Sequence, residues 1–372
     1  MIKLDILRKE IDKIDKMLLN LLSKRLALVN KVGKIKIQHG LPIYDHDREM
    51  TMLTSRRQEA STLGISPDLI EDILRRVMRE SYITENNKGF KTLFPELRQI
   101  VIIGGRGQMG RLFNKMLILS GYQVHILGRE DWLYSNSLLS NAGMVIISVP
   151  LHLTISIIQK LPPLPEDCIL VDLASIKHAT LQAMLSVHNG PVLGLHPMFG
   201  PDVDSIAKQV IIFCEGRKPE AYQWLLKQMQ LWGAHLYHSN TLEHDHNMSF
   251  IQALRYFITF TYGMFLAKEN VNIKKLLALA SPSYRIDLIM IGRFFSNNPK
   301  LYANIIFASE DNILLIKLYH QYVGMALNLL EQGNSQTFTA QFEDIALWLG
   351  NYTKIFLKKS KILLHQVDDC CE

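Results

Sequence analysis

Three glycines near the middle of the chain are spaced as a phosphate-binding turn requires. Gly105, Gly107 and Gly110 fit the pattern G-x-G-x-x-G, between an apolar run and a sequence compatible with a helix. The first glycine permits a tight turn, the second lets the backbone approach a pyrophosphate, and the third packs the helix against a strand. The helix would then direct its unpaired N–H groups at the anion. The pattern predicts a bound dinucleotide, with a purely structural glycine turn as the alternative. The candidate cofactor-binding residues are Gly105, Gly107, Gln108, Met109 and Gly110.

The residues after the second predicted strand, 123–127, bear on which dinucleotide binds. An NAD-binding enzyme usually has an Asp or Glu here that hydrogen-bonds the ribose hydroxyls. This chain has Gly128-Arg129-Glu130 instead. Arg129 could accept a 2′-phosphate, which favours NADP, whereas Glu130 could serve NAD if the loop is shifted by a residue or two. The residues alone leave both cofactors open.

Among the thirteen histidines, His196 is the best candidate for chemistry. It alone ends a buried-looking strand and enters a loop rich in Gly and Pro, on the side where parallel sheets bind ligands. A neutral imidazole there can accept a proton, although a hydrogen-bonded core histidine is the alternative. His244 and His246 are two residues apart on a predicted helix, so they point about 200° apart and make a poor metal pair. We expect them at a helix start and at a dimer or site edge, and we predict no metal.

Three basic residues on the first predicted helix could bind an anionic ligand. Arg25 and Lys36 are eleven positions apart, about three helical turns, and therefore share a face. Arg8 lies ~25 Å before Arg25, so a single helix cannot bring all three to a small ligand. An antiparallel dimer could, if Arg8 came from the partner's helix. Spacing alone favours a solvated basic face over a site.

The first ninety residues are predicted to be helical. Apolar residues recur at helical spacing from Leu4 to about Gln38. We expect a second helix from about Asp45 to Ser61 and a third from Ser66-Pro67 to about Asn86. The first helix would be ~50 Å long and outreach its partners, so it is expected to pack against a second chain. We assign residues 1–90 to this domain and 91–98 to a linker.

The rest of the chain is predicted to form two more domains. In residues 99–240, apolar strands alternate with helix-like segments, as in a parallel, doubly wound α/β Rossmann domain. Residues 241–372 form an all-helical domain that would bury its apolar faces in a dimer. The predicted strands are residues 99–103, 123–127, 144–149, 169–173 and 192–195, and the predicted helical segments of the last domain are 243–268, 272–295, 300–331 and 336–358.

The N-terminal sequence resembles the all-helical chorismate mutase domain, an intertwined helical dimer. The matching segments are Arg8–Asp12, Leu21–Arg25, Val32–Lys36, Pro42–Asp45 and Asp47–Glu49. The resemblance implies a pericyclic rearrangement of chorismate, in which the protein holds a compact conformer and stabilises charge on the ether oxygen that breaks. The implied site residues are Arg8 of the other chain, Arg25, Lys36, Asp45, Glu49, Ser81 and Glu85.

This resemblance also implies what each mutase residue does. Arg8 and Arg25 would hold the carboxylates of the substrate, and Lys36 would donate to the ether oxygen. Asp45 and Glu49 would orient the hydroxyl and the helix. Ser81 and Glu85 would complete the site, and Glu85 could donate to the ether oxygen only if it is protonated, which requires a raised pKa or lower pH.

The central and C-terminal sequence resembles prephenate dehydrogenase. The matching segments are Gly104–Gly110, Asp172–Lys177 and Gly194–Pro201. The resemblance implies hydride transfer to NAD with loss of CO2, where neutral His196 accepts the hydrogen bond of the substrate hydroxyl, Ser175 supports the hydroxyl or His196, and Arg293 holds a carboxylate. It further implies a C-terminal dimerisation domain, a homodimer, and tyrosine as a feedback inhibitor.

The two resemblances together predict a multidomain enzyme of tyrosine biosynthesis, with N-terminal all-α chorismate mutase helices, a central α/β Rossmann domain and a C-terminal all-α dimerisation domain. No run of about 18 uncharged apolar residues is present, so we expect a cytoplasmic protein without a membrane partner. The net charge of +6 is spread along the chain, and small anionic ligands explain it without nucleic acid. Two alternatives are a related dehydrogenase of a different carboxylate and a nucleotide-sensing regulator whose basic helices bind nucleic acid. The four cysteines, Cys168, Cys214, Cys370 and Cys371, are expected to be reduced, the last two in a frayed tail.

Overall fold

A computed structural model describes residues 2–369 of the chain. Contacts between residues divide the chain into two compact units, Met1–His244 and Asp245–Glu372. Cys370 and Cys371, for which a frayed tail is predicted, lie outside the described residues. Cys168 and Cys214 are buried free thiols, and burial raises the pKa of Cys168 to about 12.

Three helices open the first unit, as predicted. They are α1 (Ile2–His39), α2 (His46–Thr62) and α3 (Pro67–Asn86). The side chain of Asp45 accepts a hydrogen bond from the backbone N–H of Arg48 and so caps α2, and Ser66 caps α3 in the same way. Gly40, with φ +65°, follows the end of α1 in a left-handed conformation that suits a residue without Cβ.

Helix α1 has 38 residues and is ~57 Å long, so most of it extends beyond the helices it packs against. Its large apolar side chains lie exposed along its length: Leu4, Ile6, Leu7, Ile11, Ile14, Met17, Leu18, Leu19, Leu21, Leu28, Val32 and Ile35. Leu19, for example, is 66% exposed. Apolar surface of this extent on a soluble chain is typical of an interface.

A seven-stranded sheet forms the centre of the first unit, in the order β2-β1-β3-β4-β5-β6-β7. The strands are β1 (Ile100–Ile103), β2 (Val124–Leu127), β3 (Met144–Ile147), β4 (Ile169–Asp172), β5 (Val192–Pro197), β6 (Val210–Glu215) and β7 (His235–His238). The helices between them are α4 (Gln108–Leu119), α5 (Ser135–Leu139), α6 (Leu151–Gln159), α7 (His178–Val187) and α8 (Gln223–Leu231). The Rossmann-type α/β architecture predicted for this region is thereby confirmed.

The sheet is not wholly parallel, which corrects the sequence prediction. Strands β1 to β5 pair parallel with one another, but β6 pairs antiparallel with β5, so that His196 lies opposite Ile212. Strand β7 then pairs parallel with β6. Neither β6 nor β7 is among the predicted strands, and the described residues between β5 and β6 form no helix, so the alternation of strand and helix is interrupted there.

Both faces of the sheet are covered. Along β1, Ile100 and Ile102 contribute to one apolar cluster, and Val101 and Ile103 to the other. Successive side chains of a strand point to opposite faces, which explains why the central strands are continuously apolar.

The N-terminal helices attach directly to the sheet domain. The backbone N–H of Ile43, between α1 and α2, donates to the carbonyl of Leu231 at the end of α8 (3.1 Å). The side chain of Ile43 is buried in the same cluster as the strands. This contact places the helices and the sheet in one compact unit.

The second unit is helical throughout its regular structure. A single π-helical segment, Ser249–Leu254, separates α9 (Thr241–Met248) from α10 (Arg255–Lys268). The remaining helices are α11 (Ile273–Leu279), α12 (Pro282–Phe295), α13 (Pro299–Ile306), α14 (Glu310–Glu331), α15 (Ser335–Leu349) and α16 (Tyr352–Asp369). The predicted segments 272–295, 300–331 and 336–358 are each divided into two helices. The side chains of Ser281 and Ser309 cap two of the new helices.

Helix α14 is long and apolar enough to cross a membrane by length and composition alone. The apolar window is unburied within the described chain. A helix that packs against a second copy of a soluble chain passes the same test.

Candidate active sites

The predicted dinucleotide turn lies between β1 and α4, with glycine required by close backbone contacts. A Cβ on Gly104, whose φ is +80°, would lie 2.4 Å from the carbonyl oxygen of Ser148, and one on Gly110 would lie 2.7 Å from the Cα of Gly105. Ser148 follows β3, which lies beside β1 on the side opposite β2. The turn therefore sits between the ends of β1 and β3, where the strand order reverses. Open α/β sheets bind ligands at such a switch point.

Helix α4 begins at the turn with its N-terminus open. Gly107 occupies the N-cap position and has no side chain to satisfy the first N–H groups. Gln108 and Met109 are the first two residues of the helix. All five predicted cofactor-binding residues of the glycine turn thus belong to one strand–turn–helix unit that can cradle a pyrophosphate.

An acidic residue that the sequence patterns did not single out, Asp131, follows the end of β2, in the first turn of the next 3-10 helix. The carboxylate of Asp131 accepts a hydrogen bond from the backbone N–H of Gly128 (2.8 Å) and pairs with Arg106 (2.9 Å). These two contacts, the Gly128 hydrogen bond first, hold the pKa of Asp131 below its usual value. Arg129, the predicted phosphate ligand, is exposed at the start of the following 3-10 helix.

His196 lies at the carboxyl end of β5 and is 4% exposed. Its Nδ1 is 2.9 Å from Nε2 of His244, on α9. Burial, the neighbouring His244 and the charge of Lys177 hold the pKa of His196 well below its usual value. The imidazole is therefore neutral near pH 7, as a proton acceptor requires. His244, expected at a helix start and at a dimer or site edge, lies in the first turn of α9 and is buried against His196.

A fully buried ion pair supports the strand that carries His196. Lys177 Nζ lies 2.6 Å from the carboxylate of Asp172 and 2.8 Å from the carbonyl of Leu195, the residue before His196. It thereby links the ends of β4 and β5. Ser175, predicted to support the hydroxyl or His196, is half-buried in the loop between Asp172 and Lys177.

Arg293, the predicted carboxylate ligand, belongs to the second unit, together with two polar residues near the start of that unit. Arg293 is exposed in the last turn of α12. Gln252 is buried in the π-helical segment. Tyr256 packs in an aromatic cluster with Phe294 and Tyr302, at ring-centroid distances of 5.9 and 4.8 Å.

Two pairs of predicted mutase residues come together between α1 and α3. Arg25 Nη1 donates to Ser81 Oγ (3.1 Å), and Lys36 Nζ lies 2.9 Å from Glu85 Oε2. Lys36 also donates to the carbonyl of Ile43 (2.8 Å). Ser81 and Glu85 are one turn apart on α3, whereas Arg25 and Lys36 are about three turns apart on α1, so the long side chains of the two cations converge on one stretch of α3.

Glu85 is 6% exposed, and this burial controls its charge. Burial raises its pKa, and the opposing hydrogen bond and charge of Lys36 only partly offset the effect. The direction is the one that the predicted donor role requires, because a carboxyl group donates a hydrogen bond only when protonated.

The other predicted mutase residues lie apart from these pairs. Asp45 is exposed and caps α2. Glu49 is buried, and its carboxylate binds Tyr82, Arg75 and Lys208. Arg8 is exposed near the start of α1, where it pairs only loosely with Asp5 (3.7 Å). A single chain thus brings Arg25, Ser81, Lys36 and Glu85 together without Arg8.

Among the described residues, no group of three or more His, Cys, Asp or Glu is arranged to hold a metal ion. The two candidate sites present cations, hydrogen-bond donors and a neutral imidazole. The fold and the sites define a two-site enzyme, in which an all-helical anion-binding module is fused to a Rossmann-type dehydrogenase.

Comparisons with known proteins agree with that class. Family models match chorismate mutase type II at residues 7–86, the nucleotide-binding domain of prephenate dehydrogenase at 127–237, and its dimerization domain at 240–344. The T-protein of Enterobacter agglomerans is 62% identical over 99% of this chain and 98% of its own. The T-protein of Haemophilus influenzae is 52% identical over 98% and 97%, respectively.

The chain belongs to the T-protein family. It is a bifunctional chorismate mutase/prephenate dehydrogenase of tyrosine biosynthesis, and its dimerisation domain makes it a homodimer. The predicted family, fold class and pair of activities are thereby confirmed, and so is the prediction of a dinucleotide-dependent dehydrogenase.

Solved structures support the fold of the dehydrogenase part. Synechocystis arogenate dehydrogenase aligns with a TM-score of 0.53 at 18% identity, over 69% of this chain and 99% of its own. Prephenate dehydrogenase from Aquifex aeolicus, solved with hydroxyphenyl propionate and NAD+, aligns with a TM-score of 0.51 at 17% identity, over 72% and 99%.

Proposed function

We propose that the mutase reaction takes place between α1 and α3 and the dehydrogenase reaction at the carboxyl end of β5, with NAD as cofactor, in a cytoplasmic homodimer. The observation that carries this assignment is the buried, neutral His196 on the ligand-binding edge of a sheet that also carries the glycine turn. The proposed boundaries are residues 1–90 for the mutase, 91–98 for the linker, 99–240 for the nucleotide-binding domain and 241–372 for the helical domain.

The mutase site needs no nucleophile, because the rearrangement of chorismate to prephenate is unimolecular. Arg25 and the partner's Arg8 hold the two carboxylates in a compact conformer, and Ser81 positions the Arg25 guanidinium. Lys36 and protonated Glu85 donate to the ether oxygen as negative charge grows on it. Asp45 fixes the start of α2 as its cap, and Glu49 orients the same helix.

The dehydrogenase site converts prephenate to 4-hydroxyphenylpyruvate and CO2. His196 Nε2 accepts a hydrogen bond from the ring hydroxyl, which keeps its proton in the product, and this role leaves the proton of the neutral ring on Nδ1, facing His244 Nε2. Ser175 hydrogen-bonds the hydroxyl, and Arg293 binds a carboxylate without protonating it. NAD, when bound, supplies the acceptor for the hydride. Gly105, Gly107 and Gly110 fit its pyrophosphate because a side chain at each would collide with neighbouring protein atoms, and Gln108 and Met109 offer the first N–H groups of α4.

A specific observation keeps NADP as the second candidate cofactor. Arg129 is exposed next to the end of β2 and can meet a 2′-phosphate. Asp131 opposes this, since its carboxylate at the same end of the strand would repel the phosphate. We favour NAD for this reason.

The test is to add chorismate to the purified protein with NAD, and separately with NADP, while following chorismate loss and nicotinamide reduction. We expect both signals with NAD and much weaker reduction with NADP. Chorismate loss without reduction by either cofactor would contradict the proposed dehydrogenase site. Adding tyrosine to the same assay tests feedback inhibition, for which we expect slower nicotinamide reduction.

A further inference from the structure

Lys208 is the residue of the nucleotide-binding domain that reaches into the mutase helices. It lies just before β6 in a left-handed conformation, with φ +67°, which is uncommon for a residue with a side chain. Its backbone N–H donates to the carbonyl of Gly233 (2.8 Å). The neighbouring Ile206 is completely buried in the core of the sheet domain. The backbone of Lys208 is thus fixed by the sheet domain.

The side chain of Lys208 ends in a cluster formed by α2 and α3. Nζ lies 2.6 Å from Glu49 Oε1, and is 4.9 Å from the ring centroid of Tyr44 and 5.5 Å from that of Tyr82. The other oxygen of Glu49 accepts a hydrogen bond from the Tyr82 hydroxyl (2.5 Å). Arg75, on α3, also binds Oε1 (3.1 Å). Glu49 is only 5% exposed, so its carboxylate is shielded from water, whereas Lys208 and Arg75 remain partly exposed.

The charges around Glu49 favour its ionised form. Burial raises the pKa of Glu49, but the hydrogen bonds of Lys208 and Tyr82 and the charges of Lys208 and Arg75 outweigh it, so the pKa lies below its usual value. Tyr44 and Tyr82 face the same carboxylate as neutral phenols, because burial and Glu49 raise both of their pKa values. Lys208 is the cation that the sheet domain contributes to this cluster.

We propose that Lys208 is a positioning residue of the chorismate mutase site, supplied by the dehydrogenase part of the chain. It holds Glu49 against Tyr82, and Tyr82 lies on α3 between Ser81 and Glu85. Through that contact the sheet domain fixes the height and rotation of α3 relative to α1, and so the Arg25–Ser81 and Lys36–Glu85 pairs. The inference rests on the proposed assignment of these pairs to the mutase site.

The test compares Lys208→Met with Lys208→Arg, which keeps the charge, and with Lys227→Met, a control at an exposed lysine of α8. Mutase and dehydrogenase rates are measured separately, from chorismate and from added prephenate. For Lys208→Met we expect kcat/KM of the mutase to fall about tenfold, equivalent to about 1.4 kcal/mol. We also expect the acidic limb of its pH profile to move to higher pH, because Glu49 loses the cation that keeps it ionised.

Lys208→Arg should restore most of the rate and return the acidic limb towards its original position, while Lys227→Met should match the unchanged protein. A folded Lys208→Met protein with an unaltered mutase rate and pH profile would overturn the inference. If Lys208→Met lowers both activities together with the melting temperature, the role is structural and the inference also fails. Lys36→Ala separates a failure of this inference from a failure of the proposed site. If Lys36→Ala retains full mutase activity, the proposed mutase site is wrong, whatever the result for Lys208→Met.

Discussion

Burial has the same physical effect on Glu85 and His196, the two proposed acid–base residues, because it disfavours the charged form of each. It raises the pKa of Glu85 and lowers that of His196, so both residues are held towards their neutral forms. Glu85 is then a donor in a reaction that develops negative charge, and His196 is an acceptor in one that develops positive charge. The two activities consequently depend on pH in opposite directions.

Replacement of Glu85 by Gln should remove the basic limb of the mutase pH profile. In the unchanged protein, activity is present below the raised pKa of Glu85 and is lost as pH rises through it, because only the protonated carboxyl donates. An amide donates at every pH. The measurement is mutase kcat/KM against pH, with Glu80→Gln as the control, an exposed glutamate of the same helix. An unchanged basic limb in Glu85→Gln would rule out protonated Glu85 as the donor.

Replacement of His244 by Ala should slow the dehydrogenase at least about tenfold, since His196 loses the partner that fixes its tautomer. The acidic limb of the profile should also move to higher pH, because His244 is one of the groups that lower the pKa of His196. Rates from added prephenate across pH 5–9 provide the measurement, with exposed His246→Ala as the control. A rate and limb equal to those of the control would contradict the pairing.

At the scale of elements, the strand–turn–helix unit at β1 and α4 is the best-defined part of the cofactor site. Its glycines are held by contacts with backbone atoms of Ser148 and of one another, and backbone cannot move aside as a side chain can. The unit can therefore be disrupted by a single methyl group.

Gly110→Ala should weaken NAD binding at least about tenfold, or about 1.4 kcal/mol, since the added Cβ would lie 2.7 Å from the Cα of Gly105. Titration calorimetry measures the affinity, and mutase activity reports whether the helical domain remains intact. Ile118→Ala, at an exposed position of α4, is the matched control. Normal NAD affinity in Gly110→Ala would mean that the cofactor lies elsewhere.

How much of each element could be predicted depended on how local its signal is. The helices of the mutase were predicted closely because Asp45 and Ser66 are local caps. His196 could be identified from the strand it ends, but His244 is 48 residues away and Lys208 is 159 residues from Glu49, and no local pattern encodes such pairs. The breaks before α12 and α14 were missed because apolar periodicity outweighed the start signals at Ser281-Pro282 and Ser309-Glu310, whereas the break at Asn298-Pro299 falls between two predicted segments.

At the scale of the whole molecule, the mutase site of one chain is incomplete. Arg25 and Lys36 have their partners on α3, whereas Arg8 lies ~25 Å along the axis from Arg25 on an exposed part of α1. The apolar side chains around Arg8 are equally exposed. In the proposed mutase site, the far end of the partner's α1 therefore supplies Arg8.

A mixture of two inactive variants tests this arrangement. Arg8→Ala and Lys36→Ala homodimers should each lack mutase activity. After the chains are unfolded together and refolded, heterodimers have one intact site, so about a quarter of the activity of the unchanged protein should appear by the statistics of a symmetric dimer. Mixing Arg25→Ala with Lys36→Ala is the control, because both residues belong to the same site. Recovery in the control, or none in the test mixture, would contradict a shared site.

The exposed first helix also has a consequence for the order in which the protein assembles. Synthesis proceeds from the N-terminus, so α1 and its apolar side chains exist before any strand of the sheet has been made. For the time needed to translate the rest of the chain, that surface can be covered only by another nascent chain or by a chaperone. Two ribosomes on one message hold such helices close together at high local concentration. Pairing during translation would then precede the folding of the dehydrogenase, and the subunits of a dimer would come from the same message.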